Sequence, residues 1–138
     1  GQKLRHQVID KYKSQVDLYG RTYNPIPHKI EALRDYRFSI TIENAQQNYY
    51  FTEKLIDCFR TGTIPIYWGC PDIGDFFDIE GMILFKNLSE LYDILPQLTS
   101  EFYESKLEAI QTNFEKANNY LMAENYIWEN IIKEKWTS

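Results

Sequence analysis

Cysteine and histidine are scarce in this chain: Cys58 and Cys70, His6 and His28 are all it has. Two cysteines make no disulfide framework, and their spacing carries no metal signature. Cys58 falls on the apolar face of an expected helix, so a reduced thiol in the core is predicted. The two histidines stand apart and read as surface or structural residues. Basic charge is also short, with 15 Lys and Arg against 20 Asp and Glu and a net charge of −5. A surface that grips a polyanion shows a basic excess, so nucleic acid is not an expected partner. No run approaches the roughly 20 apolar residues of a membrane span, and this segment is not expected to contact a membrane. The opening GQKLRHQVID is charged from its third residue, unlike a secretory leader. An initiating Met is lacking too, and the chain is read as a piece of a longer protein.

Aromatic and aliphatic residues are plentiful. Hydrophobic residues make up 43% of the 138, and eleven are Tyr. That length predicts one domain able to bury a core. Leu4, Val8 and Tyr12 recur at helical spacing over residues 3–13. Residues 16–18 read as a short strand, Gly20 as a turn, and 21–27, with Pro25 and Pro27, as a loop. A short helix at 28–33 leads into a strand in which Tyr36, Phe38, Ile40 and Ile42 alternate with Arg37, Ser39 and Thr41. Leu55, Cys58 and Phe59 return to helical spacing, with Thr52 as N-cap and Gly62 as the stop. Residues 64–68 are a second β-branched apolar run ended by Gly69, and 82–85 another. Strands alternating with helices predict an α/β fold: a Rossmann-like, three-layer parallel sheet with helices on both faces.

The C-terminal third reads as helices. Asn87 with Glu90 three residues on marks a helix start, with Leu88, Leu91, Tyr92 and Leu95 as its apolar face and Pro96 as its end. Thr99 or Ser100 caps the next helix. Tyr103, Leu107, Ile110, Phe114, Ala117 and Leu121 are its expected buried stripe. Ile127, Trp128, Ile131 and Ile132 mark a last helix. This aromatic stripe is read as core, although an exposed part of it would suit a partner domain. Asp72, Asp75 and Asp78, in a turn-rich stretch, are read as solvated.

The stretch ENAQQNYYFTEKLIDCFRTGTIPIYWG, residues 43–69, carries the chemistry. A strand feeding a loop and a helix start puts free N–H groups and a positive dipole end at one spot, which suits phosphate. Lys54 adds a full charge against a pyrophosphate. Glu53, acceptor-only when ionised, suits a pair of ribose hydroxyls. Asn44 and Tyr50 add polar groups in the same loop. Ligands of open α/β sheets bind at the carboxyl ends of the strands, so these residues are expected to meet the 69–74 turn at one crevice. Taken alone, an acidic first turn and a surface lysine are ordinary helix features as well.

The same stretch resembles the donor-nucleotide motif of the α1,3-fucosyltransferases, glycosyltransferase family 10. The matching residues are Glu43-Asn44, Tyr50, Thr52-Glu53-Lys54 and the segment from Ile64 to Gly69, and Val16-Asp17-Leu18-Tyr19-Gly20 resembles an upstream family element. The resemblance implies the C-terminal half of a GT-B glycosyltransferase, here with added C-terminal helices. It also implies transfer of L-fucose from GDP-fucose to an acceptor glycan, with inversion. Glu53 would hold the ribose hydroxyls and Lys54 the pyrophosphate, with Asn44 and Tyr50 lining the pocket. No metal or other cofactor is required on this reading. The family's N-terminal half, which holds the acceptor site and general base, has no counterpart in these residues, so the catalytic residue is not assigned. The family's phosphate-binding Arg has Arg5 as its nearest candidate, at a spacing that does not match. The alternatives are a non-catalytic Rossmann-like interaction module and a transferase using another nucleotide sugar. The compartment stays open: cytoplasm for a bacterial or viral source, Golgi lumen for a eukaryotic one.

Overall fold

The computed structural model describes residues 1–15 and 33–127, with side chains to residue 120. The expected strand at 16–18, the loop at 21–27, all but the end of the helix at 28–33 and residues 128–138 lie outside the described residues. The elements run α1 (Gln2–Tyr12), β1 (Phe38–Ile42), α2 (Glu53–Arg60), β2 (Ile64–Trp68), two 3-10 turns (Ile73–Asp75 and Ile79–Gly81), β3 (Ile83–Leu84), α3 (Leu88–Ile94), a 3-10 turn (Leu95–Gln97), α4 (Ser100–Ser105) and α5 (Leu107–Ile127).

The described strands form one parallel sheet in the order β1-β2-β3. Phe38 pairs with Ile64 and Ile42 with Trp68, while Ile66 pairs with Ile83. Pro65 therefore lies in the middle strand, where a missing N–H is normally excluded. It fits because Ile64 N–H and Trp68 C=O bond towards β1, whereas Tyr67 C=O bonds to Phe85 N–H on the β3 side. Pro65 shares the Tyr67 side, and the β3 ladder begins only at Ile66.

Helices cover both faces, as expected. Val8 and Tyr12 of α1 and Leu91 of α3 pack with Ile42, Ile66 and Phe85 on one face. Leu55 and Phe59 of α2 and Ala117 of α5 pack with Tyr67, Ile73, Phe77 and Met82 on the other. Strand alternation sorts these sets, because neighbours such as Ile66 and Tyr67 point to opposite faces. Burying a large apolar side chain is worth about 1.5–3 kcal/mol, and both faces contain several. Among the described residues no helix is long and apolar enough to cross a membrane.

The caps follow the expected chemistry. Thr52 Oγ1 accepts from Lys54 N–H, Asn87 Oδ1 from Glu90 N–H and Thr99 Oγ1 from Phe102 N–H. Gly62 has φ +67° just past α2. The Glu90 carboxylate reaches back to Lys86 N–H, one residue before the cap. Pro96 does end the α-helix, but the chain continues as a 3-10 turn with Pro96 in its first positions, where its missing N–H is harmless.

Two expectations fail. Tyr92 is 62% exposed rather than on the apolar face of α3; the Lys11 ammonium lies 5.2 Å from its ring centre. The long C-terminal helix is really two, α4 and α5, broken at Lys106. The break changes the phase of the second. Leu107 and Phe114 face outward, Ala117 is buried as expected, and Ala109 and Asn113 take the other buried positions. The reason is the turn beneath α5: a Cβ on Gly81 would lie 2.5 Å from Asn113 Nδ2 and 3.1 Å from the Ala109 backbone. Only small residues and one amide fit a helix pressed that close. Asn113, fully buried, grips the turn with two bonds, accepting from Asp78 N–H at 2.8 Å and donating to Asp78 C=O at 2.9 Å.

Candidate functional site

The site is built where β1 stops. Glu43 continues the sheet by one residue, its N–H donating to Trp68 C=O at 2.9 Å. Its side chain turns to the α2 face and is fully buried. Buried carboxylates need donors, and this one has three. Oε2 accepts from Thr52 N–H at 2.8 Å and from the Tyr67 hydroxyl at 3.0 Å, and Oε1 accepts from the Thr52 hydroxyl at 2.6 Å. Thr52 passes the contact on by capping α2 through Lys54 N–H. The end of β1, the start of α2 and β2 are thus joined at one carboxylate.

Two neighbours are shaped by it. Burial pushes the Tyr67 hydroxyl well above the ordinary tyrosine range, and the Glu43 carboxylate adds to the shift. Tyr67 is therefore a protonated donor. Gly69 packs on both groups: a Cβ there would lie 2.5 Å from Glu43 Cγ and 2.6 Å from the Tyr67 hydroxyl oxygen. The glycine that ends β2 in the sequence pattern leaves room for the carboxylate.

A second carboxylate joins the loops. Asp72 Oδ1 accepts from Tyr49 N–H at 3.0 Å and from the Cys70 thiol at 2.8 Å. These two donors hold the Asp72 carboxyl below its usual value, the thiol contributing most. Asp72 is thus a solvent-facing carboxylate, as expected, that also clamps two loops together. It holds Tyr49 at φ +63°, with its ring edge-on to Phe76 at 6.0 Å. The 43–52 loop and the turn after β2 meet here, as the strand-end argument requires.

The four expected residues all lie along this loop and the first turn of α2. Asn44 is exposed, and its Oδ1 accepts from Arg5 at 3.1 Å; the same guanidinium nitrogen donates to Ile42 C=O at 2.8 Å. Arg5 thereby reaches the strand end, although its sequence spacing did not recommend it. Tyr50 is half-buried, with its N–H bonded to Gln47 C=O at 3.2 Å. Glu53 is exposed and Lys54 half-buried in the first turn of α2. Cys58 and Cys70 are free and buried, and Cys58 lies 3.3 Å from the Thr41 hydroxyl. Among the described residues no group of three or more His, Cys, Asp or Glu side chains is placed to hold a metal ion.

Sequence reasoning gave no role to the groups beneath these residues. Glu43 entered only as part of a motif, and Tyr67 and Asp72 entered as strand and turn residues. A carboxylate at a strand end shortly before a Thr N-cap is the one local signal for Glu43. Nothing local signals Tyr67, which reaches Glu43 from the neighbouring strand.

The C-terminal profile of glycosyltransferase family 10 (fucosyltransferase) matches residues 2–105. The chain belongs to glycosyltransferase family 10. The α-(1,3)-fucosyltransferase FucT of Helicobacter pylori is 33% identical over 116 residues, which cover 82% of this chain and 23% of that protein. This family 10 chain therefore spans under a quarter of that relative's length. A crystal structure of an α1,3-fucosyltransferase with GDP-fucose matches with a TM-score of 0.64 at 30% identity, over 76% of this chain and 34% of that one. A second, with GDP, matches with a TM-score of 0.64 at 27% identity, over 94% of this chain and 44% of that one. The parallel sheet with helices on both faces is thus shared with part of these α1,3-fucosyltransferases.

Proposed function

We propose that this chain is the nucleotide-sugar-binding, C-terminal GT-B part of a longer inverting fucosyltransferase, its domain running over residues 1–138. The donor is GDP-fucose and the acceptor a glycan hydroxyl brought by an N-terminal domain. One observation carries the reading most: Lys54 and the capped start of α2 stand at the carboxyl end of a parallel strand, in a fold matched by a fucosyltransferase solved with GDP-fucose.

The chemistry follows from that placement. The acceptor oxygen attacks the anomeric carbon of fucose, the bond from that carbon to the diphosphate oxygen breaks, and GDP leaves. Negative charge grows on the leaving diphosphate. Lys54 and the N–H groups of the first turn of α2 stabilise it without a metal. Glu53 accepts from the ribose hydroxyls, and Asn44 and Tyr50 line the pocket. The base that takes the acceptor proton belongs to the N-terminal half, so the isolated chain binds donor and transfers nothing.

Isothermal titration of the chain with GDP, GDP-fucose, UDP and ADP tests this. Selective binding of the guanine nucleotides is expected, and Lys54→Ala is expected to weaken it by roughly 1.5–3 kcal/mol, the range of a hydrogen bond to a charged group. Equal binding of all four nucleotides, or an unchanged Lys54→Ala, would overturn the reading.

A further inference from the structure

We infer that Glu43, with Tyr67 behind it, is a positioning residue for the donor site, an inference that rests on the function proposed above. Glu43 is completely buried, so it touches no ligand itself. Yet all three of its bonds end on groups that shape the site. Thr52 gives it both N–H and hydroxyl, at 2.8 and 2.6 Å, and Tyr67 gives its hydroxyl at 3.0 Å. Lys54 N–H in turn rests on Thr52 Oγ1. The first turn of α2 is therefore tied to β1 through a single side chain. The loop between them, with Asn44 and Tyr50, begins at Glu43 and ends at the Thr52 it holds.

A buried carboxylate is an expensive way to join two elements. A packed apolar residue often serves stability equally well. What the carboxylate adds is direction. With Oε2 shared by a backbone N–H and a phenol, and Oε1 on the Thr52 hydroxyl, only one rotation of the N-cap satisfies every donor. The hydroxyl proton of Thr52 points at Glu43, which leaves its lone pairs to cap Lys54 N–H. The orientation of the first turn, and so of Lys54, is set before any nucleotide arrives. Such preorganisation makes binding tighter by removing the ordering that would otherwise accompany it.

Glu43→Gln keeps the shape but replaces one acceptor oxygen with a donor that confronts the Thr52 hydroxyl. Tyr67→Phe removes one of the three bonds. GDP is titrated into wild type, both variants and Lys54→Ala, well below their melting temperatures, with thermal melts alongside. A residue that only holds the fold together lowers the melting temperature and leaves the GDP affinity of folded molecules alone. A positioning residue changes the affinity. Glu43→Gln is expected to weaken GDP about tenfold, one strong hydrogen bond's worth, and Tyr67→Phe to weaken it by a smaller factor. If Lys54→Ala loses binding while Glu43→Gln and Tyr67→Phe bind as wild type, the inference is wrong and the donor site stands. If wild type binds no GDP, or Lys54→Ala binds unchanged, the donor reading fails and takes the inference with it. Should Glu43→Gln not fold, Tyr67→Phe decides: weaker binding supports the inference and unchanged affinity overturns it.

Discussion

Two buried polar side chains hold two parts of this molecule, by different means. Glu43, at the carboxyl end of β1, gathers Thr52 and Tyr67 around a carboxylate. Asn113, in the second turn of α5, grips the backbone of Asp78 with a matched pair of amide bonds. Both are completely buried, and both force a glycine opposite, Gly69 for one and Gly81 for the other. The amide satisfies one donor and one acceptor and carries no charge into the core. The carboxylate satisfies donors only, and it sits beneath the residues proposed to bind nucleotide. Neutral pairing is the cheaper way to fasten a helix to a turn. Charge is found where the direction of a site matters.

The largest test of this contrast is Asn113→Ala. It leaves Asp78 N–H without its partner and takes one of two donors from Asp78 C=O, which keeps Gly81 N–H; an unsatisfied group costs about 1–3 kcal/mol and a lost hydrogen bond about 1 kcal/mol. Urea unfolding should show a loss of about 2–4 kcal/mol, while GDP affinity of the folded protein stays unchanged. A drop in affinity would erase the distinction between a fastening and a positioning residue.

Alkaline pH sharpens the comparison from the other side. Burial pushes the Cys58 thiol up from its ordinary 9.0 to about 11, and Tyr67 and Cys70 shift in the same direction. The folded state then holds protons that the unfolded state has already lost. The stabilisation from Cys58 is complete below pH 9 and is lost as pH rises from 9 through 11. Its full size is about 2–3 kcal/mol for a shift of this kind. Unfolding midpoints should be level from neutral pH up to pH 9 and fall above it. Cys58→Ala should flatten part of that fall, and a pH profile unaltered by Cys58→Ala would count against the buried, protonated thiol.

The last test is Thr52→Ala. Loss of an N-cap hydroxyl costs about 1 kcal/mol, and the buried Glu43 Oε1 loses the Thr52 hydroxyl as donor as well. The melting temperature should fall by more than the loss of a cap alone would give, and donor affinity should fall with it. Stability lost without affinity would make Thr52 a cap and nothing more.

Most single elements could be read along the chain. β2 was expected at 64–68 and lies at Ile64–Trp68. The caps at Thr52, Asn87 and Thr99 form as their side-chain chemistry requires. These features depend on neighbours within a turn or two, so the local pattern contains the cause. The phase of α5 did not follow from its own periodicity. Leu107 and Phe114 look like core residues in sequence, but Ala109 and Asn113 are the residues pressed on the seam at Gly81. That constraint comes from a turn 28 residues or more earlier in the chain than the helix positions it governs, Gly81 against Ala109.

The candidate site divides in the same way. The order of Glu43-Asn44, Tyr50, Thr52-Glu53-Lys54 and Ile64–Gly69 was enough to place the chain in its family, and the strand-loop-helix pattern was enough to locate the helix start proposed to face the diphosphate. Both are properties of residues close together in the chain. Burial of Glu43, its sharing between Thr52 and Tyr67, and the clamp from Asp72 to Tyr49 join residues from 9 to 24 positions apart. A carboxylate is a solvated surface group in one environment and the buried centre of a network in another. Only packing of β1, α2 and β2 against one another removes the water and supplies the donors that make the difference.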